Sequence, residues 1–397
     1  MLSLDKVFNA QTVLKNIIRE TKLVRAYGIA PDCELFLKPE NLQITGSFKV
    51  RGSAYKIAML SDEEKKKGVI ACSAGNHAQG VALAATKNGI KSLVCLPDTA
   101  PISKVEATKG FGADVCLVEG CYDDAYKKAL ELRDSEGYTF VHPFDDENVI
   151  AGQGTIALEI LNDLDDIDAI VVPIGGGGLI SGIAYTVKQI RPGIKVYGVQ
   201  AAGAPGMFNS IRDGEIECLP SVSTIADGIA VKQPGENTFA LVKEYVDDIA
   251  LVTDDEISSA ILSLIEKQKM IAEGAGAAAV AAVMFNKFDL KGKRVAAVVS
   301  GGNIDVTSLS RVIDRGLRNS GRSSNLLIEL LDKPGQLKEI SRIIADCGGN
   351  VTGVHYEKGH TESVTGCYLR IEMETRDYNH VHQITQSLRD EGFKLIN

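Results

Sequence analysis

Short aliphatic and β-branched runs alternate, over the first third of the chain, with longer stretches of helical spacing rich in alanine, lysine and glutamate: 68–72 then 79–88, 92–96 then 103–111, 114–117 then 123–135. The alternation therefore predicts βαβ units around a parallel sheet. A second series of the same kind follows at 169–173, 181–189, 195–199 and, after a less regular region, 294–299. Two such series predict two α/β lobes with a cleft between them.

Beyond position 311 the pattern changes. Arg311, Arg315, Arg318 and Arg322 stand among Gly316, Asn319, Ser320 and Gly321, which suits a solvated linker or helix face, with a phosphate-binding patch as the alternative. Then come a strand at 325–331, an amphipathic helix at 336–346, strands at 350–356 and 363–372, and a helix at 380–391. This βαββα series with a short final strand makes a compact α+β module of its own. The expected organisation is an α/β domain over 1–316 with its smaller lobe at about 45–145, a linker at 317–324, and a second domain over 325–397. No internal repeat or low-complexity tract interrupts it.

Composition narrows the function. With 43 basic and 52 acidic residues the 397-residue chain carries a formal charge of −9, which disfavours nucleic acid as a partner. The absence of tryptophan and the 6% aromatic content argue against a base- or sugar-stacking surface. Eight cysteines without CxxC spacing, most in apolar runs, read as reduced core thiols of a cytoplasmic protein. The first residues lack the apolar core and cleavage site of a leader. Residues 169–187 are broken by Pro173 and four glycines, which suits a buried strand and turn rather than a membrane span.

Four segments carry candidate chemistry. In Ser47-Phe48-Lys49-Val50-Arg51-Gly52 a lysine sits between apolar neighbours just after the turn signal Thr45-Gly46. In a low-dielectric setting its amine can serve as nucleophile or base; otherwise it is a lysine that snorkels from a helix start. Ser73-Ala74-Gly75-Asn76-His77 follows the run 68–72 and opens a helix, so its backbone amides suit a carboxylate or phosphate, unless it is merely a tight turn. His77 is either a base or a packed ring. Gly175-Gly176-Gly177-Gly178 follows the run 169–173 and brings bare amides up to a phosphate. It is not a dinucleotide fingerprint, because the third glycine would fall on Ile180 or Ser181 and the next strand ends in Gln200 rather than an acid. Finally, Ser300 places a hydroxyl at the carboxyl end of the run 294–299, the ligand edge of an open α/β sheet and a neutral partner for a ring nitrogen.

In this order the segments resemble the threonine dehydratases (threonine ammonia-lyases) of the tryptophan-synthase-β-like, fold type II class of pyridoxal-phosphate enzymes, over nearly the whole chain. The resemblance implies pyridoxal 5'-phosphate as cofactor and Lys49 as its Schiff-base lysine. It places Phe48 and Gly228 on either side of the ring, Asn76 on its phenolic oxygen, Gly175 to Gly178 around its phosphate and Ser300 on its pyridine nitrogen. Ser73, Ala74, Gly75 and Asn76 match the loop that grips the substrate carboxylate, and Ser73 joins Lys49 in the catalytic set. The implied reaction is β-elimination of water from L-threonine, and also from L-serine, with Lys49 taking the Cα proton and the cofactor phosphate as proton donor to the leaving hydroxyl.

Related serine racemases carry a serine where this chain has Ala74, and metal-site acids where it has Gln200 and Gly206, so racemisation and a divalent metal are not expected. The C-terminal part resembles an ACT regulatory domain through Asp332-Lys333-Pro334-Gly335-Gln336-Leu337, with Pro334 to Leu337 as the expected effector contact. The resemblance thus implies an allosteric amino-acid or nucleotide effector and a homodimer or homotetramer, against a purely dimerising module. His355, His360, His380 and His382 fit no zinc pattern. A serine-preferring ammonia-lyase, a racemase-like relative and a non-catalytic amino-acid sensor remain as alternatives.

Overall fold

A computed structural model describes residues 2–358 and 366–396. The chain divides into two compact units, Met1–Leu309 and Ser310–Asn397. The division falls inside one helix, Val306–Asn319. This helix runs across the expected boundary at 316, and the expected linker 317–324 is its last turn, a tight turn at Gly321 and the start of the strand Ser323–Leu331. Chain that looks like a linker by composition is here regular structure: Leu309, Val312, Ile313, Gly316 and Leu317 fall at helical spacing on one face, with Val312 and Gly316 buried.

The first unit holds two sheets. The larger orders its strands Val24–Arg25, Glu34–Pro39, Arg294–Val299, Ala169–Pro173, Lys195–Ala201 and Asp248–Val252. All its pairings are parallel except that of the edge strand Val24–Arg25. The smaller sheet is wholly parallel and runs Asp114–Val118, Ser92–Pro97, Val69–Cys72, Thr139–Phe140. Ala169–Pro173 and Val69–Cys72 are buried at every position, as strands covered by helices on both faces must be.

Chain direction explains where a ligand can enter. After Ala169–Pro173 the chain adds strands on one side, and Arg294–Val299 later pairs on the other; Val69–Cys72 is flanked in the same way by Ser92–Pro97 and Thr139–Phe140. At such a reversal the loops leaving the strands diverge and open a crevice at their carboxyl ends. Each sheet therefore contributes one switch point, and the four loops leaving them are 174–177, 300–305, 73–75 and 141–146.

A buried ion network ties the helix Lys49–Ala58 to Glu40 and Glu159. The Arg51 guanidinium, fully buried, donates from Nε and Nη2 to the Glu40 carboxylate at 2.8 Å each, and from Nη1 and Nη2 to Glu159 at 2.6 and 2.8 Å. Lys38 Nζ adds a bond to Glu159 Oε2 at 2.5 Å and another to the Thr21 carbonyl. Two cations thus face two carboxylates with their donors and acceptors paired, the condition under which buried charge is tolerated.

The second unit orders its antiparallel strands Asn350–Lys358, Gly366–Glu374, Ser323–Leu331, Lys394–Ile396, with helices Gln336–Asp346 and Tyr378–Asp390. This is the expected α+β, ferredoxin-like order. The expected strand 363–372 is seen as Gly366–Glu374, its first three positions lying outside the described residues. Pro334, Gly335 and Leu337 lie exposed at the turn into Gln336–Asp346, where Gly335 adopts φ 95° and so enters the helix through a left-handed conformation. His380 is packed, its Nδ1 accepting from the Arg376 amide; His355 and His382 are exposed, and His360 lies outside the described residues.

All eight cysteines are unbridged, but only Cys72, Cys95 and Cys367 are buried, while Cys121 and Cys218 are exposed. Among the described residues no helix is long and apolar enough to cross a membrane. The tract 169–187 is the strand Ala169–Pro173, a glycine loop and part of the helix Gly178–Ile190.

Candidate active site

Gly46, at φ 71°, turns the chain so that Lys49 becomes the first residue of its helix, where the unpaired amides of the helix start already disfavour a cation. Its Nζ donates to the Pro143 carbonyl at 2.8 Å and stands 5.4 Å from the centre of the Phe48 ring. Burial pushes the Lys49 amine down to about 8, against the opposing charge of Glu273. Competitive acetylation of the cofactor-free protein should therefore reach half its maximal extent at Lys49 near pH 8, whereas exposed lysines titrate near about 10.4. A Lys49 that acetylates in step with the exposed lysines would contradict a desolvated amine.

The glycine loop leaves the switch point of the large sheet. Gly177 takes φ 99°, and the amides of Gly175, Gly176, Gly177 and Gly178 find no acceptor among the described residues although the last three positions are buried. A Cβ on Gly176 would lie 2.5 Å from the Phe144 ring, and one on Gly178 2.8 Å from the Phe144 carbonyl, so only glycine fits here. Thr238 Oγ1 braces the loop by donating to the Gly176 carbonyl at 2.6 Å.

At the adjacent strand end, Ser300 is 3% exposed, its carbonyl accepts from the Phe48 amide at 3.0 Å, and its hydroxyl has no hydrogen-bond partner among the described residues. From the small lobe, Asn76 Nδ2 donates to Glu273 Oε1 at 2.7 Å, and the Glu273 amide donates to the Gly301 carbonyl at 3.1 Å. Gly228 closes the ring of contacts: a Cβ there would meet Glu273 Oε1 at 3.3 Å, and its own carbonyl lies 3.3 Å from where a Gly175 Cβ would be. The structure thus brings Phe48, Lys49, Asn76, the glycine loop, Gly228 and Ser300 together. In the loop 73–75, Ser73 Oγ accepts from the Gly75 amide at 3.1 Å, while the amides of Ala74 and Asn76 find no acceptor among the described residues.

This donor set fits pyridoxal phosphate. Buried, unpaired amides at a helix start suit a phosphate; an unpartnered hydroxyl suits a neutral ring nitrogen; and a desolvated amine suits an aldehyde. The chain from residue 14 to residue 301 matches the family model of the pyridoxal-phosphate dependent enzymes. The chain belongs to that family. As a pyridoxal-phosphate dependent enzyme it is 48% identical, over 100% of its own length and 99% of the relative's, to the L-threonine ammonia-lyase of Thermotoga maritima. The processed form of threonine deaminase isoform 2 from Solanum lycopersicum superposes with a TM-score of 0.75 at 38% identity, covering 79% of this chain and 89% of that one. Maize serine racemase gives 0.75 at 34% identity, over 80% of this chain and 98% of that one. The two-lobed α/β fold is that of these pyridoxal-phosphate enzymes.

Other positions resolve toward structure. His77 Nε2 bonds the Val141 carbonyl at 2.8 Å, and burial pulls the ring down to about 3, which suits a neutral packed imidazole rather than a base. Gln200 is fully buried, its Oε1 accepting from the Phe208 amide at 2.7 Å.

Sequence reasoning passed over Glu273, Asn303, Thr238 and the segment Pro143–Phe144. Glu273 offered one signal, a lone acid immediately before the apolar helix Gly274–Met284. Burial pushes its carboxyl up to about 7, with the Asn76 hydrogen bond opposing. The others offered none, because their roles exist only through partners distant in sequence.

Proposed function

We propose that this pyridoxal-phosphate enzyme deaminates L-threonine to 2-oxobutanoate and ammonia, and L-serine to pyruvate by the same path. The observation that carries this reading is the desolvated Lys49 amine, held on the Pro143 carbonyl and 5.4 Å from the centre of the Phe48 ring; the full-length similarity to an L-threonine ammonia-lyase supports the substrate. Gly175 to Gly178 would hold the cofactor phosphate, Ser300 would meet the ring nitrogen, Asn76 would donate to the ring oxygen, and Phe48 and Gly228 would flank the ring. When bound, the cofactor supplies a conjugated ring that spreads the charge left at the substrate Cα. Lys49, uncharged above about 8, takes the Cα proton. The free amides of the loop Ser73 to Asn76 orient the substrate carboxylate. The Cβ–O bond breaks and the hydroxide leaves as water by taking up a proton, for which the phosphate held by Gly175 to Gly178 would be the donor; the released enamine takes up water in solution and loses ammonia. Ala74 offers no proton to the Cα face, which favours elimination over racemisation.

The C-terminal unit is part of the same proposal, as an ACT regulatory domain whose exposed turn Pro334 to Leu337 meets a small effector, in a homodimeric or homotetrameric enzyme. Steady-state kinetics tests the reading. The kcat/KM for L-threonine should exceed that for L-serine, and isoleucine, valine or a nucleotide should change the threonine saturation curve. A clear preference for serine overturns the substrate; indifference to all three effectors leaves the C-terminal unit a dimerising module.

A further inference from the structure

Asn76 has two Nδ2 hydrogens and one carbonyl oxygen, and the structure commits one of each. Nδ2 donates to Glu273 Oε1 at 2.7 Å, and Oδ1 accepts from Asn303 Nδ2 at 2.7 Å. Asn303 is itself fixed in one sense, since its Nδ2 also donates to the Thr45 carbonyl at 2.7 Å and a backbone carbonyl can only accept. Two glycines make room for the partners. A Cβ at Gly46 would lie 2.2 Å from Asn303 Oδ1, and one at Gly301 would lie 2.5 Å from Glu273 Oε1. The two partners thus occupy space that any other residue at those glycines would fill.

We infer that Glu273 and Asn303 are positioning residues that lock the Asn76 amide in a single sense, so that its second Nδ2 hydrogen remains the one donor offered to the cofactor ring. The inference rests on the proposal that Asn76 faces the ring oxygen. Turned over, the amide would set donor against donor at Asn303 and, with Glu273 ionised, acceptor against acceptor at Glu273; the affinity measurements are therefore made above pH 7, where the Glu273 carboxyl is charged. Without the lock, Asn76 would offer the ring an oxygen as readily as a hydrogen.

The test uses full-length protein, with pyridoxal phosphate affinity from absorbance titration and thermal melting of the cofactor-free form as readouts. Asn303→Asp replaces a donor by an acceptor and turns the Asn76 amide; affinity should fall at least about tenfold, the worth of one such bond. Glu273→Gln keeps an oxygen toward Asn76, so affinity should stay within about threefold, a change below that of losing the bond. The double variant Glu273→Gln with Asn303→Asp completes a reversed lock. Melting should recover toward that of the unaltered protein while affinity stays at least about tenfold weaker, because an oxygen now faces the ring. The double variant carries the test if Asn303→Asp alone fails to fold. Unaltered affinity in either variant bearing Asn303→Asp overturns the inference, and so does a tenfold loss from Glu273→Gln alone, which would make charge rather than orientation decisive. Asn76→Ala separates the two levels: if it leaves affinity unchanged, the placement of Asn76 against the ring fails, and not the lock alone.

Discussion

Lys49→Ala is expected to lower the turnover of L-threonine by at least about 10³-fold, within the range that a positioned proton-transfer group supplies. The size of the effect follows from the site's composition. Burial leaves the Lys49 amine titrating at about 8, so about a tenth of it is uncharged at pH 7, against well under about a thousandth for an exposed lysine. The neighbouring imidazole cannot take over, since His77 is held neutral by burial with Nε2 on the Val141 carbonyl. Shortening the side chain to a methyl leaves the glycine loop, Ser300 and Asn76 intact, so the variant should keep binding the cofactor phosphate while losing the chemistry. Formation of 2-oxobutanoate measures the loss, and partial rescue by a small added amine would show that the missing group is an amine. Borohydride treatment of the holoenzyme followed by peptide mapping should place the label on residue 49. A variant retaining a tenth of the activity would remove Lys49 from the role assigned to it.

Arg51→Leu should destabilise the first unit by roughly 3–5 kcal/mol, the usual cost of breaking a buried ion pair by removing one partner. The leucine fills part of the volume, but it strands the Glu40 and Glu159 carboxylates against a single remaining cation, Lys38. Adding Glu40→Gln should recover part of the loss, because it removes the surplus charge rather than restoring a contact. Denaturant unfolding of the holoenzyme measures both. If Arg51→Leu unfolds at the same midpoint as the unaltered protein, the network contributes nothing to stability. Because Arg51 lies two positions after Lys49 on one helix, the same variant should also loosen the amine's placement, read as a lower kcat at an unchanged KM.

Much of the site was legible before the fold was known, and for a local reason. The glycine run, the loop after 68–72 and Ser300 each follow a strand directly, so their backbone geometry and the ligand edge they occupy are set by a few neighbouring residues. The parallel character of the sheets was legible in the alternation of short β-branched runs with helical stretches. Of the two readings of the basic stretch from Arg311, solvated linker or helix face, the structure shows helix as far as Asn319, with Val312 and Gly316 buried; composition alone does not choose between them, because both are polar and basic.

The amino-acid sequence by itself determined the order of strands and helices, the amine, amides and hydroxyl proposed to meet the cofactor, and the α+β character of the C-terminal unit. Tertiary structure alone decided which distant groups tune them: Glu273 lies 197 positions from Asn76, Asn303 lies 227 positions from it, Pro143 lies 94 from Lys49, and Glu159 lies 108 from Arg51. Hydrogen bonding and desolvation act over a few ångströms of space and are indifferent to distance along the chain. Which side chains share that space is settled only when the two sheets close on one another.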